Sequence, residues 1–95
     1  MDRAPPVIEG FSLRPAPVPG WIAQYLAADE GGVATTEVRW QLDDAGWSAW
    51  RRLDSLGDGS ILAPPSARVR AELRVTDQAG RTTTAATEAT GWEHP

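Results

Sequence analysis

The sequence predicts an all-β protein, a sandwich or small barrel of about seven short antiparallel strands with no disulfide. Three observations predict it. First, Val69, Ala71, Leu73 and Val75 alternate strictly with Arg68, Arg70, Glu72 and Arg74, the period of two of a strand with one buried and one wet face. Second, Asp43-Asp44-Ala45-Gly46 and Asp77-Gln78-Ala79-Gly80 are turns of the same kind, each between strand-like runs and each ending in glycine. They announce two hairpins, with Gly46 and Gly80 expected in left-handed conformations. Third, turn signals recur about every 8–12 residues, the spacing of a sandwich or barrel.

A helix over Ala67 to Arg74 is the rival reading, since Ala, Arg, Glu and Leu are good helix formers. On a helix, however, the charges of this run would scatter around the cylinder instead of forming a polar face. The run also ends at a turn followed by Thr82-Thr83-Thr84, and threonine favours strands. The strand reading is preferred.

In chain order, residues 1–6 (MDRAPP) form an extended lead-in, because adjacent prolines impose extended backbone and cannot pair inside a sheet. Val7 to Leu13 is a first strand, weakened by Gly10 and therefore an edge or a bulge. Arg14 to Gly20, with three prolines, is a rigid connection. Trp21 to Ala27 is a second strand whose two alternating sets are both apolar, so it is either buried on both faces or offers one face for contact. Thr36 to Leu42 alternates cleanly, with Val38, Trp40 and Leu42 inward and Glu37, Arg39 and Gln41 outward. Trp47 to Leu53 then pairs back on it, which sets Trp40 near Ala49 and Arg39 near Trp50, with Trp47 inward and Trp50 outward. Ser60 to Ala63 is a brief strand stopped by Pro64-Pro65, the Ala67–Thr87 hairpin follows, and residues 91–95 are a tail. The sandwich thus spans residues 7–90.

Composition narrows the function. The chain has 95 residues, 41% of them apolar and 23% charged, which describes one folded domain with a modest core. The net charge is −4, with acids spread among loops at Asp29, Glu30, Asp43, Asp44, Asp54, Asp58 and Asp77. Nucleic acid is therefore not an expected partner, since phosphate binding relies on clustered cations. There is no cysteine, which excludes disulfides and thiolate metal sites. All nine cations are arginine and there is no asparagine, the codon bias of a GC-rich genome. No segment has the pattern of a signal peptide or a membrane span. The expectation is either use without secretion, as for a phage structural protein, or a module cut from a longer chain.

The run VRWQLDDAGWSAW, followed by VRAELRVTDQAGRTTT, resembles bacterial immunoglobulin-like and fibronectin type III-like modules. Trp40, Leu42, Asp43, Trp47 and Trp50 match the first part of that pattern, and Val75, Asp77, Ala79, Gly80 and Thr82 the second. The resemblance covers residues 36–87 and implies an immunoglobulin-like β-sandwich. It implies no single activity, because such modules serve as spacers, adhesins, sugar binders and phage decorations.

Catalysis has little to stand on. The sole histidine, His94, is one residue from the end, where chains seldom hold catalytic geometry, and Asp43-Asp44 is explained as a turn. Asp54 and Asp58 sit four apart in a glycine-containing loop but lack the further acids of a calcium loop. No catalytic residue, cofactor or metal site is therefore assigned.

The five tryptophans are more than one small core needs. Trp40 is the expected core anchor. Trp50, stacked with Arg39, is the expected exposed contact residue, and Trp21 and Trp92, at segment ends, are expected to be partly exposed and to join it. The outward arginines at 68, 70 and 74, with Glu37 and Glu72, are expected to form a cross-strand ion-pair ladder. The resulting reading is a non-enzymatic structural or interaction module of a phage particle or multidomain bacterial surface protein, located on a virion or at the cell surface. Its partners are other protein domains or subunits, without membrane insertion. The alternative is a carbohydrate-binding module whose exposed tryptophans take a surface glycan.

Overall fold

The computed structural model describes residues 5–29, 31–54 and 57–90. Seven strands follow one another: β1 (Val7–Pro15), β2 (Trp21–Ala28), β3 (Val33–Leu42), β4 (Arg51–Arg52), β5 (Asp58–Ala63), β6 (Arg68–Asp77) and β7 (Thr82–Thr90). They form a three-stranded sheet in the order β1-β2-β5 and a four-stranded sheet in the order β4-β3-β6-β7. Every pairing is antiparallel. The chain crosses between the sheets after β2, β4 and β5, which ties the two layers around one core.

The alternation in β6 organises that core. Val69, Ala71, Leu73 and Val75 are fully buried, and β6 lies between β3 and β7 so that its backbone groups enter ladders on both sides. Val38 and Trp40 of β3, Trp21, Ala23, Tyr25 and Ala27 of β2, Leu53 and Ala63 complete the cluster. Burying each large aliphatic side chain contributes about 1.5–3 kcal/mol. Trp40 is the core anchor that its position in an alternating set predicts.

Local chemistry accounts for the strand details. β1 is an edge strand with a register shift between Ile8 and Gly10, as its glycine predicts. β2 resolves its two open readings: Trp21, Ala23, Tyr25 and Ala27 are buried, while Gln24 and Leu26 of the other set are exposed. The expected exposure of Trp21 is corrected, because the residue is 2% exposed and its indole N–H donates to the Ser66 carbonyl at 3.1 Å. The reason lies in Gly20, which has φ +135° and sits so close to β5 that a Cβ would collide with the Ala63 carbonyl oxygen. The chain turns there and enters β2 at once, with position 21 on the inward set.

The β3–β4 hairpin has the expected register, with Val38 opposite Arg51 and Glu37 opposite Arg52. The Leu53 N–H donates to the Thr36 carbonyl at 2.8 Å in the same alignment, whereas the Ser48 N–H donates to the Trp40 carbonyl at 2.8 Å one residue out of it. Residues 47–50 lie outside the ladder, and this corrects the inward placement of Trp47. The Trp40 N–H is taken by the Ser48 hydroxyl at 3.0 Å instead of by a strand carbonyl. Strand alternation therefore does not run through residues 47–50, and Trp47 joins Trp50 on the outer face. The expected left-handed Gly46 is also corrected: Asp43, at φ +50°, takes the positive-φ position in that turn. Asp43 is suited to it because its carboxylate accepts the Arg68 N–H at 3.0 Å, pinning the turn to β6. Gly80, at φ +88°, behaves as expected.

The sequence places Asp77 among the solvated loop acids, yet it is 2% exposed. Its carboxylate accepts the N–H groups of Ala79 and Arg81 at 2.9 and 2.8 Å, and the Arg81 Nε–H at 3.1 Å. Burial alone would raise its pKa. The Arg81 and Ala79 hydrogen bonds and the Arg81 charge outweigh that and hold it below the usual aspartate value. Most of the lead-in (residues 1–4) and the tail with Trp92 and His94 lie outside the described residues. Pro6 is described and buried, and its carbonyl accepts the Thr83 hydroxyl at 2.6 Å.

Candidate functional site

Among the described residues, the outer face of the four-stranded sheet carries the densest interleaving of aromatic and cationic groups. Its residues come from the strands in rows: Glu37, Arg39 and Gln41 from β3, facing Arg74, Glu72 and Arg70 of β6. Alternation makes this face polar, because the opposite set fills the core. The non-ladder segment before β4 then folds two tryptophans onto it.

The contacts form one continuous stack. The Arg39 guanidinium carbon lies 4.6 Å from the ring centroid of Trp47 and 4.6 Å from that of Trp50. Arg74 lies 4.1 Å from the Trp50 ring, and Arg70 lies 5.6 Å from Trp47. The sequence Arg70, Trp47, Arg39, Trp50, Arg74 thus alternates cation and ring from end to end. Each pair at such a half-exposed site contributes about 0.5–1 kcal/mol. Both tryptophans are half-buried, so each offers apolar area to solvent while held in place.

Carboxylates neutralise the stack from the flanks. Arg39 Nε–H donates to Glu72 at 2.7 Å and Arg74 Nε–H to Glu37 at 3.1 Å. Arg70 reaches the Gln41 side-chain oxygen at 3.2 Å and pairs with Glu88 at 3.6 Å, and Arg68 Nε–H donates to Glu88 at 2.9 Å. The expected ion-pair ladder is therefore present and reaches one strand further, to β7. Each exposed pair is worth at most about 1 kcal/mol. Their joint effect is to restrict the arginines and, through them, the rings.

Of the expected contact residues, Trp50 and Arg39 meet on this face, Trp21 is in the core, and Trp92 lies outside the described residues. Sequence reasoning missed Trp47 as a surface residue and Arg70 and Arg74 as ring partners. The sequence carries no signal for this, because Trp47, Trp50 and Leu53 at three-residue spacing also fit a regular strand whose side chains alternate between faces.

Two other features complete the surface. On the outer face of the three-stranded sheet, Val7, Leu26 and Leu62 are 54%, 46% and 49% exposed. Beside Leu26 lies an open depression of about 560 Å³ lined by Gly10, Ser12, Gln24 and Ser60. Among the described residues no group of three or more His, Cys, Asp or Glu is placed to hold a metal ion. No helix among them is long and apolar enough to cross a membrane.

No protein-family model matches this chain, and no curated protein matches it. Among solved structures it is similar to the crystal structure of the PKD1 domain of Vibrio anguillarum Epp, at 22% identity and a TM-score of 0.62 over 100% of both chains. With two antiparallel sheets and seven strands, the chain has the immunoglobulin-like β-sandwich fold. At that identity the likeness speaks to the fold alone.

Proposed function

We propose that this chain is a non-enzymatic β-sandwich module that works by surface contact, through the outer face bearing Trp47, Arg39, Trp50 and Arg74. In this reading it is a structural or interaction unit of a larger assembly, a phage particle or a multidomain bacterial surface protein, and sits on a virion or at the cell surface. The observation that carries it is the alternating stack itself. Two tryptophans that the core does not use are held at the surface by cations and ion pairs. A rigid aromatic group beside arginine gives large contact area at small entropic cost, the composition of interface hot spots. The partner that fits is a protein surface with an apolar patch that covers the two rings.

The same geometry favours a protein partner over a glycan. Arg39 lies within stacking distance of both rings, and a sugar stacking there would have to displace it. The carbohydrate reading pairs Trp50 with Trp21 or Trp92; Trp21 is buried, and Trp92 lies outside the described residues. The non-enzymatic reading rests on chemistry: the chain's one histidine, His94, is in the tail, and the open depression by Leu26 offers no paired acid and base.

The test compares the native chain with Trp50→Ala on a glycan array and against the proteins encoded beside it. Native binding to one of those proteins, weakened about tenfold or more by Trp50→Ala while the fold persists, is the expected result. Glycan binding lost in the variant would replace this reading with the carbohydrate one. Protein binding unaffected by the variant would remove this face from function.

A further inference from the structure

We infer that the outer edge of β7, to which no other described strand is hydrogen-bonded although β1 of the opposite sheet packs close by, is a docking edge for a second copy of this chain, joining two four-stranded sheets into one continuous eight-stranded sheet. This surface is separate from the tryptophan face and carries its own test.

The geometry begins with hydrogen-bond parity. The Asp77 N–H donates to the Arg81 carbonyl at 2.9 Å, so the pair closing the β6–β7 hairpin is a hydrogen-bonded one. In an antiparallel ladder such pairs alternate with non-bonded ones. Given the register of Thr76 with Thr82 and Val75 with Thr83, residues 83, 85, 87 and 89 bond to β6. The β3–β6 ladder gives the same parity, since the Asp43 N–H donates to the Arg68 carbonyl at 2.8 Å. Even-numbered β6 residues thus face β3, and odd-numbered ones face β7. It follows that Thr82, Thr84, Ala86, Glu88 and Thr90 direct both N–H and C=O outward from the sheet, where β7 is the terminal strand.

Among the described residues, this edge differs from the others. β1 is interrupted by its bulge at Ile8–Gly10, is preceded by Pro6 and ends in Pro15. β5 runs into Pro64-Pro65, and β4 has two residues. Bulges, prolines and short length are the devices that keep sheet edges from pairing. β7 has none of them: nine residues, an unbroken register with β6, no proline and a single charge at Glu88.

Self-pairing fits the sequence of this edge. An antiparallel two-fold centred on Ala86 sets Ala86 against Ala86, Thr84 against Glu88 and Thr82 against Thr90. All five outward residues then face outward residues of the other copy, and each facing pair exchanges two hydrogen bonds. The one charge meets a threonine instead of its own kind. Across the join the rows read Glu37, Arg74, Thr84, then Glu88, Arg70 and Gln41 of the second copy, with no like charges opposed. Centring on Glu88 would oppose two carboxylates, which is destabilising. Small alanines at the centre let the backbones approach without a clash.

Sedimentation of the native chain and of Ala86→Pro tests this. Because the Ala86 N–H points away from β6, proline there leaves the β6–β7 bonds in place and removes a donor at the two-fold axis. The expected result is a reversible dimer in the native chain at high micromolar concentration, and a monomer with a near-native melt in the variant. Ala86→Lys, which opposes two ammonium groups at the axis, is a second route to the same outcome should proline unfold the strand. The chain has no cysteine, so Ala86→Cys can be oxidised on its own. In a hydrogen-bonded pair the Cα atoms are about 5.5 Å apart, within disulfide reach. It should cross-link faster than Thr82→Cys, whose copies lie at opposite ends of the join. A native chain that stays monomeric, a dimer that survives both edge substitutions, or equal cross-linking at positions 82 and 86 would each overturn the proposal. Trp50→Ala should dimerise like the native chain, so the outcome is independent of the tryptophan face.

Discussion

Arg39 is the point at which the fold and the contact face are most tightly joined, and removing it has a calculable cost. Its guanidinium lies 4.6 Å from each of two tryptophan rings and donates to Glu72 at 2.7 Å. Two cation–π contacts at a half-exposed site contribute about 0.5–1 kcal/mol each. The ion pair, with both side chains only partly exposed, adds about 0.2–1 kcal/mol after screening. Arg39→Ala should therefore destabilise the domain by about 1–3 kcal/mol, a fall in melting temperature of roughly 5–20 °C for a domain of this size. Arg39→Lys keeps the charge beside Glu72 but loses the planar group that stacks on the rings, so its loss should be intermediate. The assay is thermal unfolding followed by far-ultraviolet circular dichroism, with tryptophan fluorescence reporting on the rings. A double-mutant cycle of Arg39→Ala with Trp50→Ala should give a coupling of about 0.5–1 kcal/mol. Alanine and lysine variants melting within a degree of native, with additive effects in the cycle, would mean the stack holds nothing in place. The contact face would then not be a rigid platform.

The remaining predictions concern the turns. Gly80, at φ +88° with open space around it, should lose about 1–2 kcal/mol on substitution to valine, from backbone strain alone. Gly46→Val, at a position with no neighbour within 4 Å and no positive φ, should be near neutral; equal melts for the two variants would refute the turn assignments. The lowered pKa of Asp77 means its ionised form stabilises the fold fully above its unfolded value, about pH 4, and that this contribution disappears as pH falls through the folded value. Melts of native protein and Asp77→Asn from neutral to acidic pH should thus converge below about pH 4. A constant gap between the two curves would show that the Asp77 charge does not support the β6–β7 turn.

The comparison of sequence with structure divides along physical lines. Where one face of a strand is buried on a continuous ladder, a period of two leaves no freedom, and β6 and the second half of β3 were legible to the residue. Val38, Trp40 and Leu73 point inward because a slip of one position would bury Glu37, Arg39 and Glu72. The bulge at Gly10 and the left-handed Gly80 were legible for a similar reason, since glycine marks backbone that other residues resist. The β3–β4 register was legible from the turn length, although only Arg51 and Arg52 complete the ladder.

What tertiary structure decided lies where a local rule is broken by a contact from far along the chain. Trp47 faces outward because Ser48 satisfies the Trp40 N–H across the hairpin and guanidinium groups from β3 and β6 await the ring. Trp21 is inward because Gly20 packs against the Ala63 carbonyl, 43 residues further on. Asp43, and not Gly46, takes the positive φ because Arg68 offers its N–H to that carboxylate. Period and turn length are enough to specify an all-β sandwich, its hydrophobic half and the Trp50–Arg39 pairing. Which further tryptophans share that face, and which strand edge is left open, depended on contacts between residues that only the folded chain brings together.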